Sequence, residues 1–565
     1  MSALPADAGP SLSTPRQRRE LGLDWFDWSA FAGVVVASFA IVVPLLLKGR
    51  TWSGGESPVA LDQLQYLTWI REAGNHGLIG NRWDFSPDSR VFLHPGFLIS
   101  GLLFRLGVPI QAAYAALWKP VAAVLTFAAA LCWVRHLVVG TWARRGAIFI
   151  VLFAVMPWSG LVKFFDIGNR RNNYIWGLKL DFMSGEIWTV QPLQGYSMTA
   201  IAIALMVFVL LGVAKRSSGD GSTRLLVLLS LGSGLVMWLQ PWQGGETLLI
   251  IGFVEVFRRW RYGKSIDIGL LWLFVAGAIP AVYYALLSKT DAAWKLAGEV
   301  NQADGSPLWG WPWWVVLLTL APLGIPALFA LRRKDLSWGQ AAVRFWPLAA
   351  LIVFLQPFGT FPFHSAQGLM FPIGVLAAQG MTSYRPRWVP RPAFWWVVPV
   401  LLFLSVPGTI HKMWSAYNQI NKVAYPYYIA PGEKRALRFL EVDPQPGGVM
   451  TDEYGGLLIP AYTGREALMG PFSWTPNYFQ RALPVGAIFG NFMSPAAAQA
   501  AVESTGARFI FQACHGNAQP ATSLGRELGP IILSTHDFGC ARVYVLKRSA
   551  KSDRVSSELG GPDGG

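Results

Sequence analysis

One aspartate stands where a helical pattern begins, and its position suits acid–base chemistry. Asp62 lies in the segment Leu61–Arg71, in which apolar residues recur every three positions from Leu61 to Ile70. This spacing predicts an amphipathic helix that lies along a membrane interface. Asp62 would stand at its N-terminus, where the helix dipole favours a carboxylate. Such a group can act as a general base or can simply cap the helix, and the spacing alone favours neither.

Four neighbours of this aspartate are candidate substrate-binding residues. Tyr66, Trp69 and Arg71 belong to the same predicted helix. His94 ends the polar segment 48–94, which contains that helix, and leads into a long apolar stretch.

A second polar segment, residues 163–196, carries two adjacent cations and several carboxylates. Arg170 and Arg171 are candidates to bind a phosphate group, and ordinary contacts with a loop or with lipid headgroups are the alternative. Glu186 is a candidate to bind hydroxyl groups, or else it pairs with these arginines.

Polar residues also gather at the ends of three apolar stretches. Glutamine and histidine at these points suit hydrogen bonding to a polar ligand, and the tryptophans beside them suit stacking. The alternative is that these side chains belong to the interfacial belt of a membrane protein. The candidate substrate-binding residues among them are Gln191, Gln240, His364 and Gln367.

The composition shows which elements must position these residues. Of the 565 residues, 53% are hydrophobic and 14% are charged, and the charged share is about half that of soluble domains. A polytopic membrane protein follows, and its many aromatic residues suit anchoring at bilayer interfaces. The composition excludes a disordered tail protein and, despite the net charge of +15, a soluble nucleic-acid binder. Three Cys exclude a disulfide-dense fold.

The apolar stretches predict about eleven transmembrane helices. The second stretch contains a short re-entrant or interfacial piece, around Pro95 to Leu106, before its true span. Lys119 in the same stretch either pairs within the helix bundle or marks a path for a lipid phosphate. The predicted spans are 29–47, 97–134, 146–162, 197–213, 225–239, 247–257, 268–287, 312–331, 345–358, 369–383 and 393–411.

The basic residues predict the orientation of these spans. With a cytoplasmic N-terminus, the cytoplasmic segments hold 20 Lys and Arg against seven Asp and Glu, as the positive-inside rule requires. An odd number of spans then places the C-terminal residues outside. The predicted regions are a disordered cytoplasmic tail at 1–28, a transmembrane domain at 29–411, an extracytoplasmic α/β domain at 412–548 and a disordered tail at 549–565.

The predicted outer domain contains both secondary-structure types and two cysteines. Cys514 and Cys540 lie in an oxidising compartment and are predicted to form a disulfide, with two free thiols as the alternative. Strands are predicted at 449–452, 508–512 and 542–546, and a helix at 495–505.

The segment around Asp62 resembles the first outer loop of C-type (GT-C) glycosyltransferases. The resemblance rests on Asp62 at the start of an interfacial helix, Tyr66 one turn later, Gly77, and the sequence Phe92-Leu93-His94-Pro95. Further stretches resemble the soluble extracytoplasmic domain that ends many bacterial members of this group. These stretches are Thr451–Gly456, Tyr462–Arg465, Ser473–Tyr478 and Phe538–Ala541.

The resemblance implies a membrane enzyme that moves a hexose or pentose from a polyprenyl-phosphate carrier to a glycan or lipid acceptor. The reaction would take place on the outer face of a bacterial-type plasma membrane. Asp62 would be the base, while Arg170, Arg171 and His364 would contact the donor phosphate. No further cofactor is required by the sequence, although a divalent ion can bridge Asp62 and an acid of the second segment, as in some relatives.

Two departures bear on the sub-family. The Trp-Trp-Asp signature of oligosaccharyltransferases is missing, which argues against that branch. The doubled acidic pair of protein O-mannosyltransferases is also missing, because Leu61 precedes Asp62.

Two other functions stay open at the level of the sequence. A polytopic transporter or lipid flippase would show charged or broken segments in matching positions of two halves, and no convincing internal repeat is present. A non-enzymatic assembly factor would use the outer domain for protein contacts and would leave Asp62 dispensable.

Overall fold

The computed structural model of the chain is mostly helical. It describes residues 22–56, 60–86, 89–165, 174–305, 313–355, 361–382, 405–418, 421, 425–514 and 522–548. The predicted disordered tails lie outside the described residues, apart from 22–28 of the first, as does the predicted span 393–411 up to residue 404.

Residues 25–217 form ten helices within the described residues, and one short strand. They are α1 Trp25–Phe39, α2 Val42–Leu47, β1 Thr51–Trp52, α3 Ala60–His76, α4 Pro95–Arg105, α5 Ile110–Leu137, α6 Thr141–Phe153, α7 Trp158–Phe164, α8 Tyr174–Ile187, α9 Val190–Gly195 and α10 Ser197–Ser217.

The bundle continues with eight further helices in the described residues. They are α11 Thr223–Leu239, α12 Pro241–Tyr262, α13 Leu271–Thr290, α14 Ala292–Gly305, α15 Trp313–Ala330, α16 Trp338–Leu355, α17 Met370–Met381 and α18 at 405–418.

Four of the described helices are, by length and composition, able to cross a membrane. They are α5, α10, α13 with the turn before it, and α16, and shorter apolar helices accompany them. The chain is a multi-pass membrane protein, and the count of about eleven spans stays a prediction. Two predicted spans are broken: 29–47 divides between α1 and α2, and 146–162 divides between α6 and α7. The second break precedes Pro157, which cannot continue a helix.

The predicted short piece before the second span is confirmed as α4, which packs against α3. The two helices approach closely at Gly74 and Gly101, where a Cβ atom on either glycine would overlap the backbone of the other. Gly74 lies inside α3, which continues to His76. The helix ends before Gly77, whose φ of +78° favours glycine.

Helix α3 is largely buried within the protein, which its amphipathic pattern did not predict, and its predicted position at a membrane interface stays a prediction. It lies between α4, α5 and the C-terminal helix α20 (Glu453–Thr463), so that its polar residues Gln63, Thr68 and Glu72 are buried along with its apolar ones. Gln63 donates to Glu56 and to the carbonyl of Gln194, and Glu72 has ionic partners in Arg82 and Arg90. The sequence pattern of one helix does not reveal such partners.

A buried ion pair fixes the entry to α3. Lys119, in the spanning helix α5, lies 2.6 Å from Glu56, and neither side chain is exposed. The Lys119 ammonium also donates to the carbonyls of Leu193 and Gln194. Glu56 in turn accepts from Gln63 in the first turn of α3. Of the two alternatives for Lys119, the structure shows pairing within the bundle.

The C-terminal part of the chain contains helices around a four-stranded sheet. The elements of this part are β2 Tyr428–Ile429, α19 Pro431–Val442, β3 Val449–Met450, α20, α21 Tyr478–Phe489, α22 Pro495–Thr505, β4 Phe509–Gln512, α23 Thr522–Glu527, β5 Ile532–Asp537 and β6 Arg542–Leu546. The strand order in the sheet is β3-β4-β6-β5, with β3 and β4 parallel and the other neighbours antiparallel. The separate short strand β2 pairs antiparallel with β1.

Most predicted elements of this part are confirmed. The three predicted strands correspond to β3, β4 and β6, and the predicted helix is α22. The disulfide between Cys514 and Cys540 is present. Strand β5 was missed, because it is an edge strand with exposed alternate residues, and its last four residues, 534–537, are polar. The location of this part outside the cell stays a prediction.

The segment 81–85 attaches the C-terminal part to α3. Arg82 forms an ion pair with Glu466 and lies 3.4 Å from Glu72 of α3. The Trp83 indole donates to the carbonyl of Gly456 at 2.9 Å. These contacts join the end of α3 to helix α20 and to the loop that follows α20.

Removal of Lys119 should destabilise the whole protein. Lys119→Met leaves the Glu56 carboxylate buried without its cation, which costs about 3–5 kcal/mol. The double variant Lys119→Met/Glu56→Gln should recover most of this loss. Thermal unfolding of the detergent-solubilised protein measures the effect, with Lys215→Met in an exposed ion pair as the control. Unfolding of Lys119→Met at the wild-type temperature would contradict the role of the pair.

Candidate functional site

Asp62 occupies the first turn of α3, directly after the ion-paired segment that holds this helix on the bundle. The residue as a whole is exposed, yet protein atoms surround its carboxylate, which places the carboxylate in a recess and not on a convex surface. The two neighbouring turns of α3 are buried. The helix therefore holds the carboxylate in a fixed direction.

Tyr196 binds one oxygen of this carboxylate. The phenol hydroxyl donates to Asp62 Oδ2 at 2.5 Å, and Tyr196 is 5% exposed. Tyr196 stands between α9 and α10, so the bond joins the first polar segment to the second across 134 residues of sequence. Among the described residues, Asp62 Oδ1 has no hydrogen-bond partner and remains available for a substrate.

The surroundings raise the pKa of Asp62 above its ordinary value. The main cause is the displacement of water by protein atoms, and the negative charge of Glu186 adds to it. The Tyr196 hydrogen bond and a positive charge on His364 act in the opposite direction. Because the residue as a whole is exposed, water limits the rise.

A second carboxylate, Glu186, organises the other side of the recess. Its Oε1 accepts from Gln191 at 2.8 Å, and its Oε2 accepts from Gln367 at 2.7 Å. The Gln367 amide nitrogen also lies 3.1 Å from His364 Nδ1, so it links the buried carboxylate to the imidazole. Four predicted substrate-binding residues are thus brought together: Glu186, Gln191, His364 and Gln367.

The imidazole of His364 is held on several sides. Its ring meets Tyr196 edge-on with a centroid distance of 5.6 Å, and it meets Trp242 at 5.1 Å. Gln243 fixes the backbone by donating to the His364 carbonyl at 2.8 Å. Nδ1 faces Gln367 and Glu186, while Nε2 has no hydrogen-bond partner among the described residues. His364 therefore presents one nitrogen to a substrate.

Three other predicted residues border the same region. Tyr66 stacks on Trp69 with a centroid distance of 5.7 Å and lies 6.4 Å from the Tyr196 ring. Gln240 stands at the break between α11 and α12, and it donates to Thr199 at 3.0 Å, three residues after Tyr196.

Arg71 and His94 are not placed as substrate ligands. Arg71 forms an ion pair with Glu441 of α19 at 3.0 Å, and nine helical residues separate it from Asp62, a rise of about 13 Å. His94 caps α4, because its Nδ1 accepts from the Phe97 amide and its Nε2 faces the Leu239 carbonyl. Burial lowers the pKa of His94 to about 4. His94 is therefore neutral at physiological pH, and both of its nitrogens are bonded to the backbone.

The predicted phosphate-binding arginines cannot be placed. Arg170 and Arg171 lie outside the described residues. A cation that the sequence analysis missed lies near Glu186: the Lys412 ammonium is 3.0 Å from Asp181 of α8. The same ammonium would lie 3.2 Å from a Cβ atom on Gly185, next to Glu186.

Sequence reasoning also missed Tyr196, the direct partner of Asp62. The only available signal was its position at the end of the second polar segment, next to a span. No metal-holding group of three or more His, Cys, Asp or Glu side chains occurs within the described ranges. The arrangement provides a carboxylate with one open oxygen, an imidazole with one open nitrogen, and aromatic faces between them. These groups can bind a hydroxyl compound and take its proton.

No protein-family model matches the chain, and no curated protein matches it. The structure is similar to the apo crystal structure of the oligosaccharyltransferase of Archaeoglobus fulgidus, with a TM-score of 0.52 and 12% identity over 86% of this chain and 70% of that chain. The crystal structure of ArnT from Cupriavidus metallidurans bound to undecaprenyl phosphate aligns with a TM-score of 0.47 and 12% identity, over 92% of this chain and 98% of that chain.

The similarity to the Archaeoglobus protein confirms the GT-C fold that the resemblance implied. At 12% identity it shows the fold alone. The missing Trp-Trp-Asp signature still argues against the oligosaccharyltransferase branch.

The raised pKa of Asp62 can be measured by chemical labelling. A carbodiimide reacts with protonated carboxyl groups, so Asp62 should be labelled up to a higher pH than Asp220, whose pKa the hydrogen bond from Lys215 lowers. Tyr196→Phe should extend the labelling of Asp62 to a still higher pH, because it removes a bond that favours the carboxylate. Mass spectrometry of labelled peptides gives both pH profiles. Identical profiles for Asp62 and Asp220 would contradict this description of the recess.

Proposed function

We propose that the protein is a membrane glycosyltransferase that moves a hexose or pentose from a polyprenyl-phosphate carrier to an acceptor hydroxyl, with Asp62 as general base. The observation that carries the proposal is the Asp62 carboxylate. It sits on a buried helix, it is held through Oδ2 by Tyr196, and it has Oδ1 open to the recess. The GT-C fold supports the proposal.

In the proposed reaction, the acceptor hydroxyl binds at Asp62 Oδ1 and gives up its proton to this oxygen. The acceptor oxygen then forms a bond to the anomeric carbon of the donor sugar. The bond between that carbon and the phosphate oxygen breaks, and the polyprenyl phosphate leaves with the electron pair. A single displacement of this kind inverts the anomeric configuration. The phosphate is already a good leaving group, so one carboxylate suffices, in contrast to the two of glycosidases.

The donor phosphate would bind on the Glu186 side of the recess. His364 Nε2 is open to a substrate. An N–H group at this position would donate a hydrogen bond to the departing phosphate and stabilise the charge that develops on it. Glu186 and Gln367 would act through His364 as positioning residues. Arg170, Arg171 and Lys412 are the proposed cations around the same phosphate.

The predicted orientation of the spans determines on which side of the membrane the reaction would take place. The recess would open on the outer face of a bacterial-type plasma membrane, and the extracytoplasmic C-terminal part would help to receive a glycan or lipid acceptor. The transporter or flippase alternative lacks a comparable observation. The two are separated by incubating the pure protein with polyprenyl-phosphate sugars and candidate acceptors: release of the carrier phosphate without translocation supports the enzyme, and translocation without release supports the transporter.

Removal of the base should abolish transfer without unfolding the protein. Asp62→Asn keeps the size of the side chain and can still bond to Tyr196, but it cannot accept a proton. We expect the transfer rate to fall by a factor of about 10²–10⁴, as measured by release of polyprenyl phosphate in proteoliposomes. Asp220→Asn, at an exposed loop, is the matched control. Full activity of pure Asp62→Asn would exclude the assigned base.

Loss of the tyrosine hydroxyl should change the pH dependence. Asp62 works as its carboxylate, so activity falls as the pH drops through the pKa of Asp62. Tyr196→Phe removes a hydrogen bond that lowers this pKa, and the acidic limb of kcat/KM should move to higher pH. Tyr114→Phe, a change of the same size near Tyr66, should leave the limb in place. An unmoved limb in Tyr196→Phe would remove Tyr196 from its positioning role.

A further inference from the structure

A crevice lies further along α3, away from the recess. Trp69 of α3, Trp294 of α14 and Trp474 of the loop before α21 contribute to its wall, together with Phe92. These residues come from three separate parts of the chain. The crevice, here named the tryptophan crevice, encloses about 240 Å³ including its open mouth, and its interior is narrow.

The aromatic rings of the crevice hold one another in place. Trp474 meets Trp69 edge-on with a centroid distance of 5.2 Å, and it meets Trp294 in the same way at 5.3 Å. Phe92 contacts Trp294 at 4.8 Å. Trp69 and Trp474 are buried, whereas Trp294 is partly exposed. Trp294 therefore provides the ring surface that a ligand at the mouth can contact.

Polar groups stand beside these rings. The Asp291 carboxylate is 7% exposed, accepts from the Trp294 amide at 3.0 Å, and lies at a long 3.4 Å from the Ser89 hydroxyl. The second oxygen of Asp291 can therefore accept a further hydrogen bond. Asn81 lines the same crevice. No Lys or Arg occurs among the described lining residues, so the crevice disfavours a phosphate.

The crevice is connected to the recess by a row of rings. Seven residues separate Trp69 from Asp62 on α3, a rise of about 10 Å. Tyr66 lies between them and contacts both the Trp69 ring and the Tyr196 ring. A short oligosaccharide can extend over this distance, with its end hydroxyl at Asp62.

We propose that the tryptophan crevice binds a neutral sugar unit of the acceptor glycan, an inference that rests on the proposed function. Sugar rings present C–H groups that pack on aromatic faces and hydroxyl groups that donate to carboxylates. A hydroxyl or hydroxymethyl group enters the narrow interior towards Asp291, and the sugar ring lies across the mouth on Trp294. The acceptor is thus a glycan of at least two units, recognised at a distance from the base.

Binding of soluble sugars tests this assignment without any transfer reaction. The full-length protein, in a detergent that has no sugar headgroup, is titrated by calorimetry with methyl glycosides of glucose, mannose, galactose and arabinose, and with disaccharides of each. We expect at least one of them to bind to the wild type. Trp294→Ala and Asp291→Asn should each weaken this binding about tenfold. Trp272→Ala, an exposed tryptophan of α13, is the matched control.

The variant Asp291→Asn is expected to stay folded, because asparagine can still cap the N-terminus of α14. Weaker binding by this variant would therefore not result from unfolding. Absence of binding to the wild type, or wild-type binding by a folded Asp291→Asn, overturns the inference. So does binding that Asp62→Asn abolishes and Trp294→Ala leaves intact, because the sugar then sits in the recess. If the sugars bind as expected but no donor sugar is transferred, the proposed function fails and the crevice remains a sugar site.

Discussion

A lysine well inside a membrane-spanning helix needs partners for its charge. The partners of Lys119 determine how the two polar segments of the candidate site are arranged. Its partner, Glu56, arrives from the segment before α3 and brings the start of that helix down onto the bundle. The carbonyls of Leu193 and Gln194 complete the shell around the ammonium, which fixes the segment that ends at Tyr196. One buried cation thus aligns both polar segments, and the Asp62–Tyr196 hydrogen bond lies where they meet.

The other end of α3 is held just as firmly. Arg71 and Arg82 pair with acids of the C-terminal part, and the two glycines of the α3–α4 contact allow the helices to touch along their backbones. A helix that is held at both ends can position a carboxylate without an extensive hydrogen-bond network around that carboxylate. This leaves one oxygen of Asp62 open, as a base requires, while both oxygens of the neighbouring Glu186 accept hydrogen bonds, from Gln191 and Gln367.

The sequence predicted what depends on local pattern. Periodicity identified α3, α4 and Asp62 at the helix start, and alternation and composition identified β3, β4, β6 and α22. It did not predict that α3 is buried or that Tyr196 binds Asp62, because the first depends on packing against α4, α5 and α20 and the second on a residue 134 positions away. Arg71 and His94 were candidate ligands because they lie in the same polar segment as Asp62, and the structure gives them partners in Glu441 and in the backbone. Gln191 and Gln367, which bind Glu186, were predicted because polar residues at the ends of apolar stretches can be identified in the sequence.

The attachment of the segment 81–85 limits how this protein can be recombined. Trp83 is fully buried against Gly470, and Phe85 fills the space beside Gly448, so these two rings from the N-terminal half belong to the core of the C-terminal part. A chimera that joins this membrane bundle to the C-terminal part of a homologue would lack the matching rings. The five residues 81–85 should therefore be inherited together with the C-terminal part, although almost four hundred residues of sequence separate them.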